Sequence, residues 1–125
     1  MDLRWEQVVI DAADPMTLGR WWAAALQWPV IHEAADEFEI QPTSGPPGLI
    51  FVPVPELKTT KNRLHLDFVP GDQAAEVQRL QELGAIRVAV GQRDVGWVVL
   101  ADPEGNEFCV LGSRPQEVIR STIDP

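Results

Sequence analysis

Residues 63–72 read Arg63-Leu64-His65-Leu66-Asp67-Phe68-Val69-Pro70-Gly71-Asp72, and their pattern decides the fold. Leu64, Leu66 and Phe68 alternate with His65 and Asp67, which predicts a strand with an apolar face packed on a helix and a polar face opposite. Pro70-Gly71 turns the chain. Asp72 is placed to cap a helix carrying Val77, Leu80 and Leu83, with Gly84 as its C-cap. Strands are then expected at about 85–90, 96–101 and 106–111. The same grammar runs through the preceding residues. Arg4 to Asp11 reads as a strand. Asp14-Pro15 pairs an N-cap with a proline at the first helical position, where its missing N–H costs nothing. Leu18, Trp21, Trp22 and Ala25 form the stripe of an amphipathic helix. That helix is expected to stop by Trp28, because Pro29 disfavours helix at the residue before it. Strands are expected at about 29–33, 36–41 and 48–54.

Each half therefore runs strand, helix, strand, strand, strand, and the fold class is α+β: two βαβββ modules in tandem. The expected arrangement is a curved mixed sheet around a cup-shaped cavity, with the helices outside. A fixed offset of 58 residues relates the halves. It carries cap Asp14 to cap Asp72, Gln7 to His65, Phe51 to Cys109 and Glu39 to Trp97. Module one is expected over about 4–55, a linker over about 56–62, module two over about 63–111 and a tail over 112–125, all within a single domain.

Composition narrows the function classes. The 125 residues carry 10 Lys+Arg and 19 Asp+Glu, a formal net charge of −9. The acidity is spread evenly: residues 1–62 hold 4 basic and 9 acidic groups, and residues 63–125 hold 6 and 10. This argues against nucleic acid and anionic membranes as partners, since both are bound through basic patches. No apolar run is long enough for a membrane span, and Met1 to Glu6 lacks the features of a secretory signal. The one cysteine, Cys109, cannot form an internal disulfide and fits a reducing, cytoplasmic setting. Five Trp against no Tyr place bulky aromatics in a small core or in a pocket.

Strand alternation sorts the candidate site residues. One sheet face is apolar and expected to lie under helices. The other is expected to mix Gln7, His65, Asp67, Trp97 and Cys109 with Phe51 and Leu49. A concave apolar surface with a few convergent polar groups suits a small molecule; a dimer interface or a solvated face is the alternative. His65 and Asp67 share a face but sit two residues apart on one strand, so a direct bond between them is not expected, and Asp67 is expected to meet an adjacent strand instead. Cys109 has no evident base in the sequence.

The strings Lys58 to Asp67 and Trp97 to Leu111, the latter holding Asp102-Pro103-Glu104-Gly105-Asn106-Glu107-Phe108, resemble the vicinal oxygen chelate superfamily, in its glyoxalase-like branch. That superfamily includes glyoxalase I, bleomycin-resistance proteins and extradiol dioxygenases. In its metal-dependent members the ligands come from the first, fourth, fifth and eighth strands. The resemblance places those positions on Gln7, Phe51, His65 and Cys109. Two ligand types are kept and both carboxylates are missing, so no tightly held metal and no other cofactor is expected. The implied function is binding of a small aromatic or amphipathic molecule by Gln7, Phe51, His65, Asp67, Trp97 and Cys109, in a homodimer. One alternative is a metal-assisted lyase, isomerase or dioxygenase with His65 as ligand or general acid–base. Another is a structural or regulatory module whose cup is filled by its own side chains.

Overall fold

The computed structural model describes residues 2–88 and 96–112. The elements run β1 (Gln7–Ala12), α1 (Pro15–Leu26), β2 (Val30–Ala34), β3 (Glu37–Ile40), β4 (Gly48–Pro53), β5 (Leu66–Phe68), α2 (Gln73–Glu82), β6 (Ile86–Arg87), β7 (Val98–Ala101) and β8 (Glu107–Val110). They form two four-stranded mixed sheets of matching order, β1-β4-β3-β2 and β5-β8-β7-β6. In each, the first and fourth strands of the module pair in parallel and the other pairs are antiparallel. This is the predicted βαβββ order, twice. The expected strand at 85–90 is found only at Ile86–Arg87; residues 89–95 and 113–125, the latter most of the expected tail, lie outside the described residues. None of the helices is long and apolar enough to cross a membrane among the residues described.

Contacts divide the chain into two compact units. The first comprises residues 2–61 together with Asp102–Asn106; the second comprises residues 62–88, 96–101 and 107–112.

In the first unit, α1 begins where Asp14 and Pro15 predict. The Asp14 carboxylate accepts from the Thr17 N–H at 3.2 Å and from the Thr17 hydroxyl at 2.7 Å, which satisfies an N–H that the first turn leaves open. The helix ends at Gln27, in the left-handed conformation (φ 57°, ψ 42°), and the Trp28 N–H closes back on the Ala23 carbonyl at 3.1 Å. Leu18, Gly19, Trp22 and Ala25 form its buried face. A side chain at Gly19 would overlap the Phe38 ring, so the absent Cβ is what lets β3 pack closely under the helix. Phe38, Ile40, Leu49 and Phe51 complete this core.

The second unit repeats the devices. The Asp72 carboxylate accepts from the Ala75 N–H at 3.0 Å. At the other end, Gly84 (φ 115°) takes the left-handed position, with its N–H on Gln81 and that of Ala85 on Leu80, both at 3.0 Å. This is the paired closure that glycine favours at helix ends. Gln73 Nε2 donates to the carbonyls of Gly96 and Val110 at 2.9 and 3.1 Å, tying the start of α2 to β8. Val77 and Leu80 are buried along with Leu100, Phe108 and Val110. Leu64, expected on the helix-packed face, is instead 88% exposed. The regular strand starts only at Leu66, so the alternation drawn through residue 64 runs past the point where the pleat begins.

Candidate functional site

Register shows which side chains share a face, because directly paired residues project to the same side of a sheet. In the first sheet, Gln7 pairs with Gly48, Val9 with Ile50 and Ile10 with Phe51, while Phe38 pairs with Phe51 and Glu39 with Ile50. Phe38 meets α1 at Gly19, so Phe51 lies on the helix side, fully buried. The open side carries Gln7, Val9, Glu39 and Ile50. The expectation that Phe51 shares a face with Gln7 is therefore corrected.

The cause is a slip in the repeat. In the second sheet Leu66 pairs with Phe108 and Asp67 with Cys109, whereas their first-sheet counterparts Val8 and Val9 pair with Leu49 and Ile50. The counterpart of Cys109 is thus Ile50, at an offset of 59 rather than 58. For β3 and β7 the offset reaches 60, since Val99 pairs with Cys109 where Glu39 pairs with Ile50; Trp97 then corresponds to Glu37 rather than Glu39. A slip of one residue inverts every side chain of a strand.

In the second sheet three candidates converge. Asp67 pairs with Cys109, and Cys109 with Val99, so all three share the face away from Leu66, Phe108 and Val110. His65 precedes β5 on the same alternation. Its Nδ1 lies 3.8 Å from the Cys109 Sγ and 3.4 Å from the Asp67 Oδ1. One donor atom from each residue falls within 4.8 Å of the others. His65 and Asp67 approach more closely than strand spacing predicts, because the two side chains lean together, but 3.4 Å is longer than a good N–H···O bond, and Asp67 meets Cys109 of the adjacent strand as expected. One expectation is corrected here: Cys109 does have an imidazole beside it. Cys109 is buried, whereas the His65 and Asp67 side chains remain 38% and 51% exposed.

Both neighbours meet the same ring nitrogen. A nucleophilic relay would need the thiol and the acid on opposite nitrogens, so that the acid orients the base. The arrangement is instead a convergence of three donors. Trp97, 42% exposed, directly precedes β7 on the alternation that continues to Val99.

Acidic residues with roles the sequence did not disclose lie close by in the chain. Glu107 is buried and accepts from the Asn62 N–H at 2.9 Å. In the first unit, Asp102 is buried and accepts from the Trp22 indole, the backbone N–H groups of Glu104 and Asn106, and the Asn106 side chain. Glu104 takes the N–H groups of Ala13 and Asp14 at 2.7 and 2.9 Å. Gly105, at φ 88°, closes the turn with its N–H on the Asp102 carbonyl at 2.8 Å. The Asp-Pro-Glu-Gly-Asn run is thus a structural clasp. Its signal in the sequence was a pair of acids in a tight turn, which turn chemistry alone explains equally well.

With this architecture in view, comparison with known proteins identifies the class. Residues 7–111 match the glyoxalase-like domain, and the chain belongs to that family, whose fold is that of the vicinal oxygen chelate proteins. Similar solved structures include the trypanothione-dependent glyoxalase I of Leishmania major (12% identity, 97% of this chain and 94% of that one, TM-score 0.70). A possible glyoxalase from Bacillus cereus is 14% identical over 87% and 98% of the two chains, with a TM-score of 0.67. The bleomycin-binding protein of Streptomyces verticillus, solved with copper(II)-bleomycin, is 14% identical over 91% and 99%, with a TM-score of 0.63. At these identities the likeness is one of fold. No curated protein matches by sequence.

The metal positions implied by the resemblance do not fit an oxygen-rich ion site. Phe51 has no donor atom and packs beneath α1. Ile50, which holds the corresponding place on the open face, has no donor either. Cys109 offers sulfur where a carboxylate would be needed for a hard ion.

Proposed function

We propose that this protein binds a small aromatic or amphipathic molecule, and that it does so without the superfamily's oxygen-ligated metal. The observation that carries this reading is the composition of one face of the second sheet. A half-exposed Trp97 directly precedes β7, whose Val99 pairs with Cys109, and Cys109 in turn lies with His65 and Asp67. Indole supplies a stacking surface, and the imidazole and carboxylate orient a polar substituent. The net charge of −9 favours a neutral or cationic ligand over an anionic one. The test is fluorescence titration with a fused-ring aromatic such as naphthol, in wild type and Trp97→Phe. Quenching is expected in wild type and should be mostly lost in the variant; quenching that survives the substitution would place the ligand elsewhere. A ligand at one hundred times its dissociation constant should also stabilise the fold by about 2.7 kcal/mol.

A second reading, favoured by the position of the His65 ring, is a lyase, isomerase or dioxygenase in which His65 transfers a proton on a carbonyl or enol substrate. Turnover abolished by His65→Asn with ligand quenching retained would establish it. We further propose a two-fold homodimer in a reducing compartment. Val30 and Ile31 are exposed on β2, an edge strand of the first sheet, and covering such an edge is a common use of pairing. Sedimentation is expected to give about twice 13.9 kDa; a monomer at micromolar concentration would exclude the dimer.

A further inference from the structure

The second sheet holds a three-donor set that keeps His65 and Cys109 of the four positions the superfamily resemblance implies and adds Asp67, which is not one of them. It consists of one imidazole, one carboxylate and one thiol, all from β5, β8 and the residue just before β5. We infer that His65, Asp67 and Cys109 form an exchangeable site for a thiophilic divalent cation, with zinc as the ion that suits it best.

The spacing supports this. Tetrahedral zinc with bonds of about 2.0–2.1 Å to nitrogen, about 2.0–2.2 Å to carboxylate oxygen and about 2.3 Å to sulfur sets N···O near 3.3 Å and N···S near 3.6 Å. The observed values are 3.4 Å for His65 Nδ1 to Asp67 Oδ1 and 3.8 Å for His65 Nδ1 to Cys109 Sγ. The two edges at His65 need to contract by only a few tenths of an ångström around an ion, and the third, from Asp67 to Cys109, lies within 4.8 Å and closes by rotation of the half-exposed Asp67 side chain. The choice of ring nitrogen agrees, since Nδ1 is the atom within reach of both partners. Sulfur beside nitrogen selects zinc or copper over magnesium or calcium. The flanking chain supports the same geometry: Glu107, next on the face of Cys109, is held by the Asn62 N–H and is not among the converging donors.

Three protein ligands leave a fourth position for water or an incoming donor. The exposure of His65 and Asp67 turns that position outward. Binding would displace the thiol proton to solvent, leaving sulfur as thiolate. The inference does not rest on the ligand reading above, although both use His65 and Asp67: the cobalt test needs no organic molecule, and the fluorescence test needs no ion.

The test is titration of the reduced, folded protein with cobalt(II), a spectroscopic stand-in for zinc, followed by displacement with zinc. One cobalt per chain is expected, with a thiolate-to-cobalt charge-transfer band in the near ultraviolet and the intense visible bands of a tetrahedral ion. Zinc should bleach both. Cys109→Ser should abolish the charge-transfer band. His65→Asn and Asp67→Asn, both at partly exposed side chains, should each weaken binding by at least about tenfold. His32→Asn, which alters the histidine paired with Glu37 at 3.6 Å, should change nothing. The assignment is overturned if wild type shows only the weak bands of octahedral cobalt, or if the charge-transfer band persists in Cys109→Ser. Unchanged affinity in both His65→Asn and Asp67→Asn would overturn it as well, and these two variants decide the matter if Cys109→Ser fails to fold.

Discussion

The Trp22 indole N–H donates to the Asp102 carboxylate at 2.9 Å across 80 residues of chain, with both side chains buried. A buried carboxylate is stable only when its lone pairs are occupied. Asp102 meets that condition with the indole, two backbone amides and the Asn106 side-chain amide. Asp102→Ala leaves several of these donors unsatisfied and is expected to cost about 3–5 kcal/mol. Trp22→Phe should cost about 1–3 kcal/mol. A double-mutant cycle by chemical denaturation should show coupling of at least about 1 kcal/mol; additive losses would mean that the two groups act independently.

Gly19 is expected to tolerate no side chain. Gly19→Ala would press a methyl group into the Phe38 ring, which is fully buried. Overpacking of this kind costs about 1–3 kcal/mol. Combining it with Phe38→Leu should recover part of the loss, although each change alone destabilises. Thermal melts of the four proteins would reveal the recovery, and a double variant weaker than either single one would refute the steric account.

The end of α1 offers a gain. Gln27 holds a left-handed conformation (φ 57°) that costs a side-chain-bearing residue about 1 kcal/mol relative to glycine. Gln27→Gly should therefore raise the melting temperature, while Gln27→Ala should not. A melting temperature unchanged by glycine would show that the greater freedom of glycine in the unfolded chain offsets the relieved strain.

Asp14 is the residue whose protonation the structure most clearly resists. Its carboxyl is held below the ordinary value of 3.8, chiefly by the Thr17 hydroxyl, then by the Thr17 N–H, with Arg20 adding attraction. A depressed native value means the charged form is favoured by folding. Its contribution is complete above the unfolded value and disappears as the pH falls through the lowered native one. Carboxyl-carbon NMR should show Asp14 titrating below 3.8, and Thr17→Val should move that titration upward. No movement in the variant would assign the depression to another cause.

The sequence disclosed the element order because its signals are local. Asp14-Pro15, Asp72 and Gly84 each act within one helical turn, and the buried residues of both helices follow the helical spacing of the apolar stripes. What it did not disclose depends on loop lengths. The halves slip by one residue at β4 against β8 and by two at β3 against β7. No periodicity reports such slips, so alternation places Phe51 on the face of Gln7, whereas it lies under α1. Alternation extends the fifth strand to Leu64, whereas the pleat starts two residues later. The approach of His65 to Asp67 depends on side-chain lean, which strand period does not encode. The clasp at Asp102 was hidden for a different reason: a turn signature reveals where a chain reverses, not which distant groups its acids will meet.

That clasp bears on the order in which the protein can be completed during synthesis. Ala13 and Trp22 receive their acceptors from residues 91 and 80 positions later. While the ribosome is still translating the second repeat, the first has its helix and four strands but not yet the Asp102 carboxylate that the buried indole N–H meets. Pairings of such large sequence separation form slowly, and here they must also wait for the nascent chain to lengthen. The duplicated pattern therefore does not make two interchangeable cassettes. A fragment ending near residue 61 would present an incomplete core, and supplying the Asp102–Asn106 turn in trans, or by permuting the chain, is the natural way to restore it.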